Sequence, residues 1–206
     1  MLLRQKHIIY AARALSLLFT PFYLPVVGLT VLFTFSYLSL LPWLYKIEVV
    51  ALVYCFTVLL PTFMIFLYRK CQRWSLIELG RRERRAVPYL ISIVCYFSCI
   101  YLMQQLYIPR FMGSIVVAAL IVQIVCAIIN NWWKISTHTA AIGGVGGALL
   151  AFADIFGYNP IGWLCVVILV AGLLGSSRMI LRQHSLQQVL AGFGVGLVCA
   201  WGTILL

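Results

Sequence analysis

Seven long apolar stretches recur along the chain, separated by short polar segments. A helix that crosses the hydrocarbon core of a bilayer needs about 20 mainly apolar residues, and each stretch approaches or exceeds that length. Lipid offers the backbone no hydrogen-bond partners, so such a stretch crosses as a helix. The predicted crossings cover about residues 15–42, 49–68, 89–107, 112–131, 140–156, 161–176 and 189–206.

The overall composition agrees with a membrane protein and excludes the main soluble classes. Apolar and aromatic residues make up 64% of the chain and charged residues only 9%, whereas a soluble domain carries about 25% charged residues. A soluble globular domain, a disordered chain and a nucleic-acid-binding domain are therefore excluded. Residues 1–206 are predicted to form a single membrane domain, an all-α polytopic transmembrane helical bundle of about six to seven helices.

The first apolar stretch superficially resembles a signal peptide but is predicted to remain in the protein. It continues past Ala14 to about Leu44 without a small-residue cleavage site, which is too long for a cleaved signal. Pro21 and Pro25 lie within it, and a proline removes one helical hydrogen bond. We therefore expect a retained first transmembrane helix that bends near these two prolines.

The polar segments between the stretches are predicted to gather on one side of the membrane. With seven crossings, the segments that follow the second, fourth and sixth helices share a face, namely residues 69–88, 130–139 and 176–188. This face receives a run rich in arginine together with His138 and His184. The opposite face has only short turns.

Two histidines and several arginines on one face suit the transfer of a phosphoryl group. Guanidinium groups bind phosphate oxygens two at a time. One imidazole can attack phosphorus and a second can protonate the leaving oxygen. The chain has only four Asp and Glu residues, and its seven cysteines show no metal-ligand spacing. We therefore expect no metal and no other cofactor.

The last polar segment carries a motif that resembles a known family. Ser177 and Arg178 are followed after five residues by His184, and Gln188 stands after three more. This pattern is similar to the third signature motif of the type 2 phosphatidic acid phosphatases, a superfamily of membrane phosphatases. That motif runs Ser-Arg, five residues, His, three residues, Asp. Gln188 therefore stands where the family has an aspartate.

Two weaker matches precede this motif in the order that the family shows. The second family motif, Pro-Ser-Gly-His, aligns with residues 135–138, where only Ser136 and His138 agree. The first motif is Lys, six residues, Arg-Pro, and it aligns with the arginine-rich run of the first polar segment. Arg82 and Arg85 are the best-placed substitutes there.

The resemblance implies a fold, a reaction and a role for each matched residue. The motifs lie within about residues 80–195, in a family-like helical core of about 69–206. His184 is implied to be the nucleophile that forms a phosphohistidine, and His138 the general acid. The implied phosphate-binding residues are Arg178, Arg82, Arg85 and Ser136, and the implied orienting residue is Gln188. The implied partners are membrane lipids and a phosphorylated lipid substrate, with no metal and no nucleic acid.

The missing aspartate leaves other functions open. An amide can accept a hydrogen bond from an imidazole but cannot stabilise an imidazolium by charge, and losing such a carboxylate slows a serine protease by about 10⁴. The main alternative is a weak or inactive relative that binds phosphorylated lipid headgroups. A small transporter or channel subunit is a third possibility, and the near absence of ionisable residues within the helices argues against it. Phosphatidic acid, phosphatidylglycerol phosphate, a polyprenyl diphosphate and a lipid A phosphate are all compatible substrates.

Two pairs of glycines are predicted to let helices pack closely. Gly143 and Gly147 are four residues apart, as are Gly192 and Gly196, so each pair lies on one helix face. Small residues at this spacing allow two helix backbones to approach each other in a membrane. We interpret both pairs as packing positions and not as phosphate-binding loops.

Charge and family resemblance give opposite predictions for the orientation. All of the 15 Lys and Arg residues except Lys46 and Arg110 fall on the histidine face. The positive-inside rule places this face in the cytoplasm, whereas most members of the family act on the outer leaflet. We predict a multi-pass protein of an inner (cytoplasmic) membrane whose histidine face is cytoplasmic.

Overall fold

The computed structural model describes residues 2–35, 37–74 and 82–206, and every regular element among them is helical. The prediction of an all-α protein is therefore confirmed. The main helices are α1 (Leu2–Leu18), α2 (Leu24–Phe35), α3 (Trp43–Tyr54), α4 (Leu60–Cys71), α5 (Ala86–Gln105), α6 (Arg110–Asn130), α7 (Thr137–Phe156), α8 (Ile161–Ile180) and α9 (Leu186–Leu205). Short 3-10 turns stand at Pro21–Tyr23, Tyr37–Leu40 and Arg82–Arg85, and a π turn at Cys55–Leu59.

Seven segments of the described chain are long and apolar enough to cross a membrane. They are Lys6–Thr34, Trp43–Cys71 and the five helices from α5 to α9. The predicted bounds of the last five crossings lie within about one helical turn of the observed ones. The described part of the chain therefore has the seven candidate transmembrane helices of a multi-pass membrane protein, which is the number predicted.

The first crossing is broken where the prolines predicted a bend. α1 ends at Leu18, a 3-10 turn begins at Pro21, and α2 starts at Leu24. The predicted limits of this crossing were wrong, because α1 begins near residue 2 and α2 ends at Phe35. The basic residues near the N-terminus lower the hydropathy without interrupting the helix, so an apolar pattern does not reveal its start.

The second crossing is one continuous helix with a wide turn in its middle. Pro61 cannot donate to the backbone, and its ring would clash with the carbonyl four residues earlier in a regular helix. The chain avoids this clash through the π turn at Cys55–Leu59, where the N–H of Leu60 bonds to the carbonyl of Cys55. This helix begins at Trp43, six residues earlier than the predicted start at about residue 49.

α7 and α9 form the tightest helix pair of the bundle. A Cβ atom on Gly143 would collide with the carbonyl oxygen of Phe193, and one on Gly196 with the carbonyl oxygen of Ala140. Gly147 meets the backbone of α9 in the same way. The predicted packing role of the glycines is confirmed. This contact sets the distance between the two helices whose first turns border the histidines.

α1 packs along the end of α8 and places the N-terminal part of the chain beside the third polar segment. Among the side chains of α1 that the structure describes, from Lys6 onward, Ala12 and Ser16 are buried and lie one turn apart. Arg13 lines a small cleft together with Leu181 and Arg182. Arg13 of α1 therefore lies on the side of the histidines, as predicted from the even number of crossings that separates the N-terminus from each polar segment.

Candidate functional site

The three polar segments converge at one end of the bundle. The N–H of Ser136, before α7, bonds to the carbonyl of Gln188 in the first turn of α9 at 3.4 Å. Arg85 ends the turn that leads into α5, and its charge acts on His138 and His184. The shared face expected from the number of crossings is therefore observed over the described residues.

A tight turn between α8 and α9 fixes the position of His184. The N–H of Gln183 bonds to the carbonyl of Arg178 at 3.1 Å, and Arg182 adopts a left-handed conformation with φ of 53°. This is the closing pattern that commonly ends a helix, although glycine is the usual residue at the left-handed position. Ser185 then begins α9 as its N-cap, in a capping box with Gln188. His184 lies between the closing turn of α8 and the N-cap of α9, so its backbone has little freedom to move.

Gln188 determines which nitrogen of His184 carries the proton. Its Oε1 accepts the backbone N–H of Ser185 at 3.2 Å, so the oxygen, and not the amide nitrogen, faces this corner. The same oxygen lies 3.1 Å from Nδ1 of His184, which must therefore be the donor. The lone pair is left on Nε2, which is buried and has no hydrogen-bond partner. The orienting role predicted for Gln188 agrees with this geometry.

Burial and neighbouring cations keep His184 neutral. The side chain is only 7% exposed. Burial, as the main cause, and the charges of Arg85, Arg178 and Lys134 together lower the pKa of His184 to about 3, although the bond to Gln188 opposes them. The imidazole is therefore unprotonated near neutral pH. A neutral imidazole with a free, buried Nε2 is the form that can act as a nucleophile.

His138 lies in the first turn of α7 and faces the same group of charges. Arg178, His184 and Arg85 all act on it electrostatically, and its imidazole hydrogen-bonds the backbone of Ser16. Its Nδ1 is buried without a hydrogen-bond partner. The two histidines predicted to act together thus lie at one site, His138 on α7 and His184 in the turn between α8 and α9.

Ser136 is the N-cap of α7 and is fully buried. Its Oγ accepts the backbone N–H of Thr139 at 3.4 Å, a bond that stabilises the start of the helix. The hydroxyl proton is left for another acceptor. Contact of Ser136 with phosphate stays a prediction, and the observed role of this residue is to position the helix turn that holds His138.

The predicted arginines differ in their burial and in their hydrogen-bond partners. Arg178, in the last turn of α8, is 6% exposed, and its Nη1 donates to Oγ of Ser16 at 2.6 Å while Nε has no hydrogen-bond partner. Arg85 is half-buried beside Tyr89, and burial lowers its pKa although the Tyr89 hydroxyl opposes this. The side chain of Arg82 lies outside the described residues, so its predicted role stays a prediction.

Two further residues belong to the site and were not predicted. Burial lowers the pKa of Lys134, and the charges of Arg85 and Arg178 lower it in the same direction, so Lys134 lies near both arginines. It stands four residues before His138 in the second polar segment, so its place in that segment was an available signal. Ser16 bonds Arg178 from a position 162 residues away in the sequence, within an apolar stretch. No pattern in the sequence indicates that contact.

The resulting group of side chains favours the binding of an anion. It combines the cations Arg85, Arg178 and Lys134 with two imidazoles, and no carboxylate of the described residues acts on any of them. Buried cations without counter-charges are costly. A phosphate or diphosphate would supply the missing negative charge and acceptors for the free N–H of Arg178.

We expect that Lys134→Ala weakens the binding of a phosphorylated ligand. A hydrogen bond to a charged group contributes about 1.5–3 kcal/mol, so the Kd or KM should rise roughly 10- to 100-fold. Lys70→Ala removes the same charge from an exposed position on the same face and is the matched control. An unchanged KM in the Lys134 variant would remove this lysine from the binding site.

Comparison of the chain with protein-family models, with curated proteins and with solved structures finds no match. The resemblance of this chain to a phosphatase family therefore rests on the motif residues around His138 and His184.

Proposed function

We propose that the protein is an integral-membrane phosphatase that hydrolyses a lipid phosphate or lipid diphosphate through a phosphohistidine intermediate. The observation that carries this proposal is the buried, unpartnered Nε2 of His184, fixed as a lone-pair donor and surrounded by cations. The family resemblance supports the same reaction.

In the first step, Nε2 of His184 attacks phosphorus and the bond from phosphorus to the lipid oxygen breaks. Nδ1–H stays bonded to Oε1 of Gln188 and keeps the ring in place. His138 donates a proton to the leaving oxygen. The negative charge of the bound phosphate stabilises a protonated His138, which otherwise has only cations and a neutral imidazole beside it.

In the second step, water attacks the phosphohistidine and passes a proton to His138. The nitrogen–phosphorus bond breaks, inorganic phosphate leaves, and both imidazoles return to their starting forms. The net reaction consumes one water and yields the dephosphorylated lipid and phosphate. Arg178 and Arg85 stabilise the charge on the equatorial phosphate oxygens while these bonds change.

The position of the site favours a lipid as substrate. His138 and Arg178 lie at the ends of membrane-spanning helices, where lipid headgroups are found. Trp132 and Trp133, in the segment before α7, are exposed by 74% and 38%. Tryptophan is enriched at the membrane–water interface. A phosphate attached to a lipid therefore reaches this site without leaving the bilayer.

The direct test is phosphate release by the purified protein in detergent. The substrates are phosphatidic acid, phosphatidylglycerol phosphate and a polyprenyl diphosphate, each with and without a chelator of divalent metals. We expect release from at least one substrate and no effect of the chelator. Absence of release from every substrate would contradict the proposal, and release that a chelator abolishes would contradict the metal-independent mechanism.

A second function, binding of phosphorylated headgroups without turnover, is supported by one observation. The residue that orients His184 is the neutral Gln188, which cannot stabilise the positive charge that develops on the ring during attack. A site of this kind can bind phosphate well and still react slowly. Binding without release in the test above would favour this function.

Gln188→Glu is expected to raise turnover. Glutamate keeps the side-chain length and the capping box, in which Glu and Gln serve equally, and it adds a carboxylate next to Nδ1 of His184. We expect kcat to rise roughly tenfold, a small part of the effect that such a carboxylate has in serine proteases. Gln187→Glu, one residue earlier and exposed, is the matched control for added charge. A lower kcat in folded Gln188→Glu protein would show that the neutral amide is required.

Cys71 gives a test of orientation. It is exposed at the end of α4, in the first of the three polar segments, and therefore on the histidine side. If the positive-inside rule decides the orientation, a membrane-impermeant thiol reagent should label Cys71 only after the cells are permeabilised. The Cys71→Ser variant identifies the signal from this residue. Labelling in intact cells would place the site on the outer side.

A further inference from the structure

A cleft with two arginines lies between α1 and the turn that joins α8 to α9. Its volume is about 490 Å³, within the roughly 300–1,000 Å³ that is usual for ligand pockets. The cations and imidazoles of the candidate site do not line it, so it is a separate feature of the described structure. We call it the arginine cleft, and its walls are formed by Ile8, Ile9, Arg13, Ile180, Leu181 and Arg182.

The arginine cleft carries two positive charges and no negative charge among its lining residues. The side chains of Arg13 and Arg182 are both exposed. The two carboxylates whose side chains the structure describes belong to Glu48, near the start of α3, and Asp154, near the end of α7. Both positions are at the end of the bundle opposite the cleft. A ligand that balances the two arginines therefore has to bring its own negative charge.

The rest of the cleft is apolar and lies at the end of a membrane-spanning helix. Ile180 is the last residue of α8, and Ile8, Ile9 and Ile180 are exposed by 47%, 39% and 47%. A helix of this length ends where the hydrocarbon core meets the headgroups. A phospholipid places a charged phosphate directly beside apolar chains at that depth, and both parts find a matching surface here. A free phosphate ion would leave the isoleucines without a partner.

We infer that an anionic phospholipid binds in the arginine cleft, with its phosphodiester between Arg13 and Arg182 and the upper part of an acyl chain against the isoleucines. Guanidinium groups bind phosphate oxygens through paired N–H bonds, and basic residues next to a membrane attract anionic headgroups. The lipid is a ligand and not a substrate at this place, because only arginine, isoleucine and leucine side chains line the cleft and none of them is a nucleophile.

The bound lipid would join α1 to the turn that holds His184. Arg13 lies one turn before Ser16, whose hydroxyl accepts a hydrogen bond from Arg178. Arg182 lies two residues before His184. A phosphate held by both arginines therefore stabilises the packing of α1 against the end of α8, and with it the contact between Ser16 and Arg178. The inference goes beyond the proposed function, since it adds a second lipid site that supports the first.

The test is a measurement of lipid binding by thermal unfolding of the purified full chain in a neutral detergent. A ligand that binds only the folded state raises the Tm. Phosphatidylglycerol is added to the micelles at several concentrations, and phosphatidylcholine with the same acyl chains is the uncharged comparison. We expect phosphatidylglycerol to raise the Tm more than phosphatidylcholine does. Equal shifts with the two lipids would overturn the inference.

Arg182→Gly removes one guanidinium without straining the turn. Arg182 has φ of 53°, a conformation that glycine adopts readily, so the Tm without lipid should stay close to that of the wild-type protein. The Kd for phosphatidylglycerol should rise at least about fivefold, the contribution expected of one basic residue beside an anionic membrane surface. An unchanged Kd would overturn the inference. If Arg182→Gly does not fold, Arg182→Asn is measured with the same expectations, because asparagine also occurs at this helix-end position.

Arg73→Gly is the matched control. Arg73 is exposed near the end of α4 on the same side of the bundle, and its φ is 54°. The substitution therefore removes the same charge from the same backbone conformation outside the cleft, and the Kd should stay at the wild-type value. An equal rise of the Kd in Arg73→Gly and Arg182→Gly would mean that the lipid responds to the total charge of this face, which would overturn the inference.

Two further variants locate the lipid. Arg13→Gln keeps a good helix former in α1 and should also raise the Kd at least about fivefold, and an unchanged Kd would overturn the bridge between α1 and the turn. Lys134→Ala, in the candidate site, should leave the Kd for phosphatidylglycerol unchanged. A rise in Lys134→Ala together with no rise in Arg182→Gly would place the lipid at the candidate site and overturn the inference.

Inorganic phosphate separates a lipid site from a site for the free ion. Any rise of the Tm with inorganic phosphate should be the same in Arg182→Gly and in the wild-type protein, because the free ion gains nothing from the apolar wall. A phosphate response that Arg182→Gly removes would show a site for the ion and overturn the assignment to a lipid. All of these measurements report binding, so they decide the inference whether or not the protein releases phosphate from any lipid.

Discussion

His184→Ala is expected to abolish phosphate release while leaving the bundle folded. Nε2 of His184 supplies the lone pair that attacks phosphorus. The other imidazole of the described site belongs to His138, which lies in the first turn of α7 and serves as the general acid, so it does not replace the nucleophile. Removing the nucleophile of a serine protease costs about 10⁶ in kcat. We expect a fall of at least about 10³-fold here, measured as phosphate release in detergent.

The third histidine of the chain provides the control. His7 lies on an exposed surface of α1, so His7→Ala removes the same side chain without entering the site. It should retain the wild-type rate. A 32P-labelled substrate adds a direct readout, because the acid-labile protein-bound phosphate that wild-type protein accumulates should be missing from the His184 variant. Normal turnover by folded His184→Ala protein would show that another group attacks phosphorus.

The crossings and their shared face could be predicted from the sequence because they follow from length and hydropathy alone. A stretch such as 112–131 has no stable state in lipid except a helix. Two such helices separate His138 from His184, so both histidines must lie on one side. The spacing of Arg178 and His184 then places both at the α8–α9 turn, so this part of the candidate site could be predicted from the sequence.

The parts that could not be predicted depend on contacts between distant residues or on local backbone chemistry. Ser16 reaches Arg178 only because α1 packs along α8, and nothing in an apolar stretch marks one serine as a partner. The π turn before Pro61 avoids a clash between the proline ring and a backbone carbonyl, and a hydropathy pattern does not indicate such a turn. Gln188 was predicted to orient His184, but its second bond, to the N–H of Ser185, appears only in the capping box. That second bond is what fixes the tautomer.

The close packing of α7 on α9 connects the stability of the bundle to the geometry of the site. α7 carries His138 in its first turn, and α9 begins two residues after His184. A Cβ atom on Gly196 would lie 2.7 Å from the carbonyl carbon of Ala140 and 2.8 Å from the nitrogen of Gly144, and it would collide with the oxygen of Ala140. These are backbone atoms, which cannot rotate away as a side chain can. A larger residue at this position must therefore push the two helices apart.

Gly196→Leu is accordingly expected to lower the Tm strongly and to abolish activity in whatever protein remains folded. Overpacking a core costs about 1–3 kcal/mol when side chains can shift, and the cost should reach or exceed the upper end here because backbone must move. Gly194→Leu is the matched control, since a Cβ at Gly194 meets no atom within 4 Å and the residue is exposed on the same helix. Thermal unfolding in detergent should separate the two variants clearly, with Gly194→Leu close to the wild-type protein. If both variants unfold at the wild-type temperature, α7 and α9 do not pack through their glycines, and the distance between His138 and His184 must be set by another contact.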